Sequence, residues 1–354
     1  MYDRIFILNF RGLRDLSIEN LGRVNLLVGA NNVGKTSVLE ALALLRMHYN
    51  FYEIHQIAES RGYVHGQSDI GLFSGMFGED ERGQISVIGH DASSVEEVFL
   101  FDSFQSLNQS IPGSDYSCSL RGQSTGEQLV FRYEKRPGGF FGNHLEGVFR
   151  VGDWPAVPKR QETGAHGNVA FVPGFVRLRT RDMPEFLTDA RRHGRLNSLI
   201  DAIRTFDPTI SDMAAAATQG GWSVDVYASR AGGNVVFPLS GLGTGTHRLW
   251  EMLISLPRAS GGVALIDEVD AGIYADRLRD VWSSVGRLQR AENLQIFATT
   301  HSWECVEAAL TAFDGEYSKD FRLIRLERDG DDVRAITAEH HQVESAVALG
   351  FDVR

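Results

Sequence analysis

Gly29, Gly34, Lys35 and Thr36 stand in the stretch GANNVGKTS at the spacing G-x-x-x-x-G-K-[ST]. That spacing makes a phosphate site. The glycines let the backbone turn until successive N–H groups point inward, and a following helix adds positive potential at its N-terminus. Gly29, Ala30, Asn31, Asn32, Val33, Gly34, Lys35, Thr36 and Ser37 together form the candidate nucleotide-binding loop. Lys35 reaches the β- and γ-phosphates, and the Thr36 hydroxyl a magnesium ion. A chance match in a chain with 37 glycines is the competing reading. The flanks argue against it: an apolar run at Val24–Val28 precedes the loop, and Val38, Leu39, Leu42 and Leu45 come after it at helical spacing.

Three further groups have types that suit phosphoryl chemistry. In GGVALIDEVD, four apolar residues, Val263 to Ile266, run into Asp267-Glu268. A carboxylate at the carboxyl end of a central strand suits a magnesium partner, here Asp267, and Glu268 can accept a proton from water as general base. Two acids capping the next helix are the competing reading. In LQIFATTHSWE, His301 comes after a second short strand and is a candidate contact to the γ-phosphate; a helix-capping His is the alternative. In FPLSGLGTGTHRLW, Ser240, Gly241, Gly243 and Gly245 precede a helix and make a second anion-binding feature. One nucleotide has no evident use for two such loops unless the second comes from another protomer.

The elements that must position these groups read as an α/β fold. Strands at Val24–Val28, Gly262–Asp267 and Leu294–Thr299 alternate with helices after the phosphate loop to about His48, over Ala275–Leu288 and over Trp303–Leu310. This fits a mostly parallel central sheet flanked by helices. A further helix is read at about Thr246–Leu256, and a final hairpin at Leu323–Leu326 and Val333–Ile336, with a turn at Asp329–Asp332. The predicted organisation is a single head: a discontinuous core of about 1–60 and 230–354, an antiparallel β subdomain of about 61–175, and a helical arm-like insertion of about 176–220. Ser117–Leu120, Gln128–Tyr133 and Gly147–Val151 are candidate strands, and Pro155–Asn168 reads as a loop. An alanine-rich stretch after Asp212 precedes a hairpin at Trp222–Tyr227 and Val235–Phe237. The aromatic stretch from His48 to His55 reads as amphipathic core more readily than as a base-binding surface.

At 354 residues, 43% hydrophobic and 23% charged, the chain has an ordinary globular composition. A net charge of −11 argues against a surface coated for phosphate binding. Gly174–Phe206 departs from it, with Arg177, Arg179, Arg181, Arg191, Arg192, Arg195 and Arg204 against four acids. A solvated helical face is the favoured reading there, and a nucleic-acid patch the alternative. Two cysteines, Cys118 and Cys305, make neither a disulfide framework nor a zinc site. No signal pattern and no run of 18 apolar residues is found, so a cytoplasmic location is expected. No N-K-x-D motif speaks for a GTPase.

The motifs in combination resemble those of ABC-type ATPases of the SMC/RecF branch, and within it the OLD-like (overcoming lysogenization defect) ATPases. They are FRGLRDLSIENLGRVNLLVGANNVGKTSVLEAL, LFSGMFGEDERGQISVIG, the section around FDPTI, PLSGLGTGTHRLW, LIDEVDAGIY, FATTHSWECVEAA and RLIRLERDG. The resemblance implies an ABC-type P-loop head that dimerises around ATP and Mg²⁺. The phosphate loop of one head would face Ser240, Gly241, Gly243 and Gly245 of the other. It implies Glu268 as catalytic base, His301 as switch histidine, Thr36 and Asp267 at the metal, and Asp270–Tyr274 at the dimer contact. It implies control of a separate effector, with a nuclease or toxin in anti-phage defence as the candidate; an ATP-gated scaffold and a RecF-like DNA-binding repair ATPase are the alternatives. The chain departs from the family at Thr244, where an acid is common, and at Tyr274 and Ala275, where histidines are common. The Q-loop glutamine is not placed; Gln56, Gln67 and Gln84 are candidates. Only 53 residues come after His301, so no C-terminal Toprim domain is expected and any nuclease would be a separate chain.

Overall fold

A computed structural model describes residues 1–47, 84–91, 94–101, 128–137, 144–150, 168–174, 183–218 and 221–353. The aromatic stretch from His48 to His55, Gln56, Gln67, the candidate strand Ser117–Leu120, Cys118, the loop from Pro155 and Arg177, Arg179 and Arg181 lie outside them. The chain divides into two compact units. One comprises Met1–Leu21, Gly29–Gly167 and Ile324–Thr337, the other Gly22–Val28, Asn168–Leu323 and Ala338–Arg354.

In the first unit, β1 (Arg4–Phe10) and β2 (Leu13–Ile18) form an antiparallel hairpin. β3 (Val24–Gly29) belongs to the second unit up to Val28 and delivers the chain to the phosphate loop and α1 (Lys35–Met47). β4 (Gln84–His90), β5 (Ser94–Phe101), β6 (Gln128–Pro137) and β7 (His144–Arg150) extend the hairpin into a six-stranded antiparallel sheet, ordered β2-β1-β4-β5-β6-β7. Alternation explains the pairing: Ile5, Ile7, Leu16, Ile18, Ile85 and Val87 are buried while most residues between them are not. Helix α1 has no polar face, and Val38 to Leu45 are buried throughout. Glu40 in its middle is neutralised by Arg11, from the β1–β2 turn, at 2.9 Å.

After β3 the second unit continues with β8 (Val169–Val172), α2 (Met183–Arg192) and α3 (Leu196–Arg204). The helical part of the expected insertion ends there. Ile210–Thr218, the alanine-rich stretch, is a strand, β9, which pairs with β10 (Gly221–Arg230); β11 (Gly233–Pro238) completes a three-stranded meander. Alanine has the highest helix propensity, but propensity yields to tertiary context, and a ladder of partners on β10 with Met213 and Ile210 buried outweighs it. Then come α4 (Thr244–Ser255), β12 (Val263–Ile266), α5 (Leu278–Ala291), β13 (Gln295–Thr299) and α6 (Trp303–Ala312). β14 (Phe321–Asp329), β15 (Asp332–Glu339) and α7 (His340–Ala348) close the chain.

β3, β13, β12 and β8 lie side by side and parallel. β12 and β13 are buried at every residue, as expected for strands covered on both faces. Leu249, Trp250, Leu253, Val281, Trp282, Val285, Val306 and Ala309 from α4, α5 and α6 join them in one core. The fold is therefore the α/β class read from the sequence, with a mostly parallel sheet and separate antiparallel sheets. β8 joins the parallel sheet rather than the antiparallel one, so the expected β subdomain stops short of it.

Candidate functional site

The phosphate loop holds itself in shape. Gly29 and Gly34 adopt φ of 138° and 111°, and Asn32 sits in the left-handed region at 61°. A side chain on Gly29 would collide with the carbonyl oxygen of Leu326, and one on Gly34 would come within 2.8 Å of Leu13. Two conditions thus demand glycine at each position, the dihedral and the space. Lys35 is buried, and its ammonium donates to the carbonyls of Gly29 at 2.7 Å and Ala30 at 2.9 Å. Ala30, Asn31 and Asn32 are exposed, Thr36 and Ser37 half-buried, and Val33 anchors the loop in the interior. No acid occupies the first turn of α1, so nothing there opposes a bound anion.

In the second unit the carboxyl ends of four parallel strands come into line. Thr299 pairs with Leu27, Ala298 with Ile266, and Ile266 with Val172. At these ends β3 runs into Gly29, β13 into Thr300-His301, β12 into Asp267-Glu268 and β8 into Pro173-Gly174. The carboxyl edge of such a sheet is where α/β folds collect ligand-binding groups. Asp267 is buried, and its Oδ1 accepts the Thr299 hydroxyl at 2.7 Å. The same hydroxyl accepts the Glu268 backbone N–H at 2.8 Å. Glu268 is half-buried and left-handed, φ 47°, which is strained for a residue with a long side chain. Its side chain lies over Gly174, where an added Cβ would stand 3.1–3.2 Å from Glu268 atoms. Thr300 donates to Asp270 Oδ1 at 2.7 Å and so ties the end of β13 to the turn after β12. His301 is exposed, and Ser302 after it caps α6 by accepting the Cys305 N–H. Cys305 behind the cap is buried, its thiol pushed up to about 12, first by desolvation and then by the charge of Asp270.

The second glycine loop is of another kind. Ser240, Gly241 and Gly243 are exposed, and no side chain caps α4. The helix starts at Thr244, earlier than the sequence suggested. Thr244 donates to Gly272 O at 3.4 Å, and an added Cβ on Gly245 would meet that oxygen at 3.1 Å. This loop and the turn Asp270–Tyr274 are therefore neighbours, with Tyr274 84% exposed beside them.

Sequence reasoning missed the residue that links α4 to the strand ends. Arg248 is buried and donates to Pro173 O at 2.6 Å, to Asp267 O and to Glu268 O at 3.4 Å. Glu251 Oε2 lies 3.5 Å away and His247 within 3.4 Å of the same carboxylate. Burial lowers the Arg248 pKa against the pull of Glu251, Asp267 and Glu268. The signal was present: a charged pair at i and i+3 on a helix whose neighbours are Leu249, Trp250 and Leu253. Gly174 was also missed, because nothing in sequence says which side chain needs its space. Of the four arginines of Gly174–Phe206 among the described residues, Arg191 pairs with Asp212 at 3.3 Å, Arg195 with Glu292 at 3.1 Å and Arg204 with Asp201 at 2.8 Å. Gln84 begins β4.

A family model described as "AAA domain, putative AbiEii toxin, Type IV TA system" matches residues 24–306, from β3 to α6. The chain belongs to this AAA_21 family. The match takes in the phosphate loop, both carboxylates, His301 and the second glycine loop. This AAA_21 chain is similar to an uncharacterized protein of Methanocaldococcus jannaschii, 31% identical over 126 residues, which is 34% of this chain and 54% of that protein. The match thus spans about half the length of that relative. It is also similar to a protein of Helicobacter pylori described as an ATP/GTP phosphatase, 21% identical over 331 residues and 87% of each chain. Among solved structures it is similar to an SMC head bound to the C-winged helix domain of ScpA, with a TM-score of 0.48 and 11% identity over 97% of this chain and 99% of that one. A second is the SMC head domain from Thermotoga maritima, at 0.44 and 14% over 96% and 99%. Among the described residues no helix is long and apolar enough to cross a membrane.

Proposed function

We propose that the chain is a magnesium-dependent ATP-binding and ATP-hydrolysing head that dimerises around ATP and uses that cycle to control a separate effector. The observation that carries this reading is the end of β12. There Asp267 is fixed by the Thr299 hydroxyl, and Glu268 is held in a strained conformation over a glycine, on the edge from which β3 runs into Gly29. Strain of this kind persists where a side chain must be aimed. The description of the Helicobacter relative as an ATP/GTP phosphatase supports hydrolysis. The family description, with its toxin–antitoxin reference, supports an effector. The motif combination supports the finer OLD-like assignment, and the cysteine usage a cytoplasmic location.

The residues present fit a magnesium ion. Mg²⁺ takes one or two carboxylates with substrate phosphates and keeps several waters, and the Asp267 carboxylate and the Thr36 hydroxyl are each donors of the kind that would hold it. No cluster of three or more His, Cys, Asp or Glu ligands occurs among the described residues, and such an ion needs none. When bound, the ion neutralises charge on the β- and γ-phosphates. The chain does the rest. The N–H groups of Gly29–Ser37 cradle the phosphates. Lys35 exchanges the carbonyls of Gly29 and Ala30 for phosphate oxygens. Glu268 takes a proton from the attacking water, and His301 contacts the γ-phosphate. Ser240, Gly241, Gly243 and Gly245 of a second copy close the site, which agrees with the exposure of Ser240, Gly241 and Gly243 and the uncapped start of α4.

Steady-state phosphate release is the test. Glu268→Gln should lower turnover by about a hundredfold while nucleotide binding persists, because general-base catalysis contributes on the order of 10²–10⁴. ATP should shift that variant to a larger species in light scattering. Wild-type turnover equal to the variant's would leave an ATP-gated scaffold, and an unchanged size with ATP would exclude the composite site.

A further inference from the structure

We propose that Arg248 is a positioning residue that sets the orientation of Glu268 and couples it to the Ser240–Gly245 loop. The inference rests on the reading of Glu268 as general base. Arg248 stands on the first turns of α4, whose N-terminus carries that loop. Its guanidinium bridges three carbonyls on two strand ends, Pro173 after β8 and Asp267 and Glu268 after β12. Pro173 is followed by Gly174, the glycine over which the Glu268 side chain lies. One planar cation therefore fixes both the backbone that carries Glu268 and the backbone against which its side chain rests. A planar fork of donors can do this; the single ammonium of lysine cannot span the same acceptors.

The arrangement is not explained by stability alone. Arg248 Nε is buried without an acceptor, and Glu251 is buried to balance the charge. Burying an orphaned donor and an ion pair is unfavourable compared with an apolar residue of similar volume. Apolar neighbours at Leu249, Leu253 and Ile254 show that the helix packs by aliphatic contact elsewhere. A rigid link between α4 and the β12 turn has a further consequence. Any small shift of α4 when its exposed N-terminal loop meets a ligand is passed to Glu268 through hydrogen bonds rather than through a compressible side chain.

The test compares wild type with Arg248→Lys and with Arg248→Met, which keeps the volume and removes the charge. Each should lower kcat by about a hundredfold, the effect of a misplacement near 1 Å. ATP binding, read by a fluorescent ATP analogue, should change less than about twofold, and melting of Arg248→Lys should stay within about 3 °C of wild type. Hydrogen exchange gives the second readout: amides of 266–270 should exchange faster in Arg248→Lys while those of α5 and β13 do not. Full turnover in both variants, or exchange that rises uniformly, would overturn the proposal. If wild type itself shows no turnover that depends on Glu268, the ATPase reading fails. The exchange comparison then decides alone whether Arg248 orders that turn.

Discussion

Two glycine-bearing loops lead into helices in this chain, and they are built on opposite terms. Gly29–Ser37 is strained and closed. Its glycines hold φ values that other residues avoid, the Leu326 carbonyl and the Leu13 side chain crowd a Cβ at Gly29 and Gly34, and Lys35 is buried against the loop's own carbonyls. Ser240–Gly245 is relaxed and open. Gly243 has φ −58°, nothing lies within 4 Å of a Cβ added to it, and Ser240 and Gly241 are exposed. A loop that stores strain within its own unit is preorganised for a ligand. Of the glycines in Ser240–Gly245, Gly243 alone has empty space around it, since a Cβ on Gly241 would stand 3.0 Å from Phe237 and one on Gly245 3.1 Å from the Gly272 carbonyl. The proposed dimer gives the two loops different tasks: the first would hold the phosphates, and the second would close on a second copy.

The comparison can be broken most sharply at Lys35. Lys35→Ala removes the cation that the closed loop holds ready, and phosphate release should fall on the order of 10²–10³-fold, as when one preorganised charge contact is lost. Unchanged kinetics would remove the phosphate-loop assignment.

Gly29→Ala comes next. It adds a Cβ that meets the Leu326 carbonyl at a dihedral disfavoured for alanine. Unfolding by urea should show a loss of about 1–3 kcal/mol, with nucleotide binding lost as well. A variant as stable as wild type would mean that the loop is not strained.

The smallest effect on stability belongs to Gly243→Ala. With φ −58° and no neighbour, it should stay within about 0.5 kcal/mol of wild type. It should nonetheless slow phosphate release, because in the proposed dimer the added methyl would stand on the face turned to the second copy. A stable variant with wild-type turnover would leave the open loop without a function.

Much of the site was legible in sequence because its chemistry is local. The phosphate loop needs consecutive backbone N–H groups, so its residues must be contiguous, and Gly29–Ser37 carries the whole pattern. Asp267 and Glu268 stand out as candidates because a buried strand ends abruptly in two acids. The strands of the parallel sheet were read from short, largely apolar runs, and the helix after the phosphate loop from apolar residues at helical spacing. Where local preference and pairing disagreed, sequence failed: four alanines in Ile210–Thr218 suggested no strand, yet β10 supplies the partners. Arg248 and Gly174 were invisible for the same reason. One stands 20 residues before Glu268 and the other 94, and neither has a property that names its partner.

The amino-acid sequence thus determined which residues are candidates to bind phosphate or to take a proton, and which strands are buried, since each depends on neighbours along the chain. Tertiary structure decided which hydroxyl fixes Asp267, which glycine makes room for Glu268 and which guanidinium ties both strand ends to α4. Those contacts join residues far apart in the chain. Only folding brings a donor within about 3 Å of an acceptor whose identity no spacing encodes.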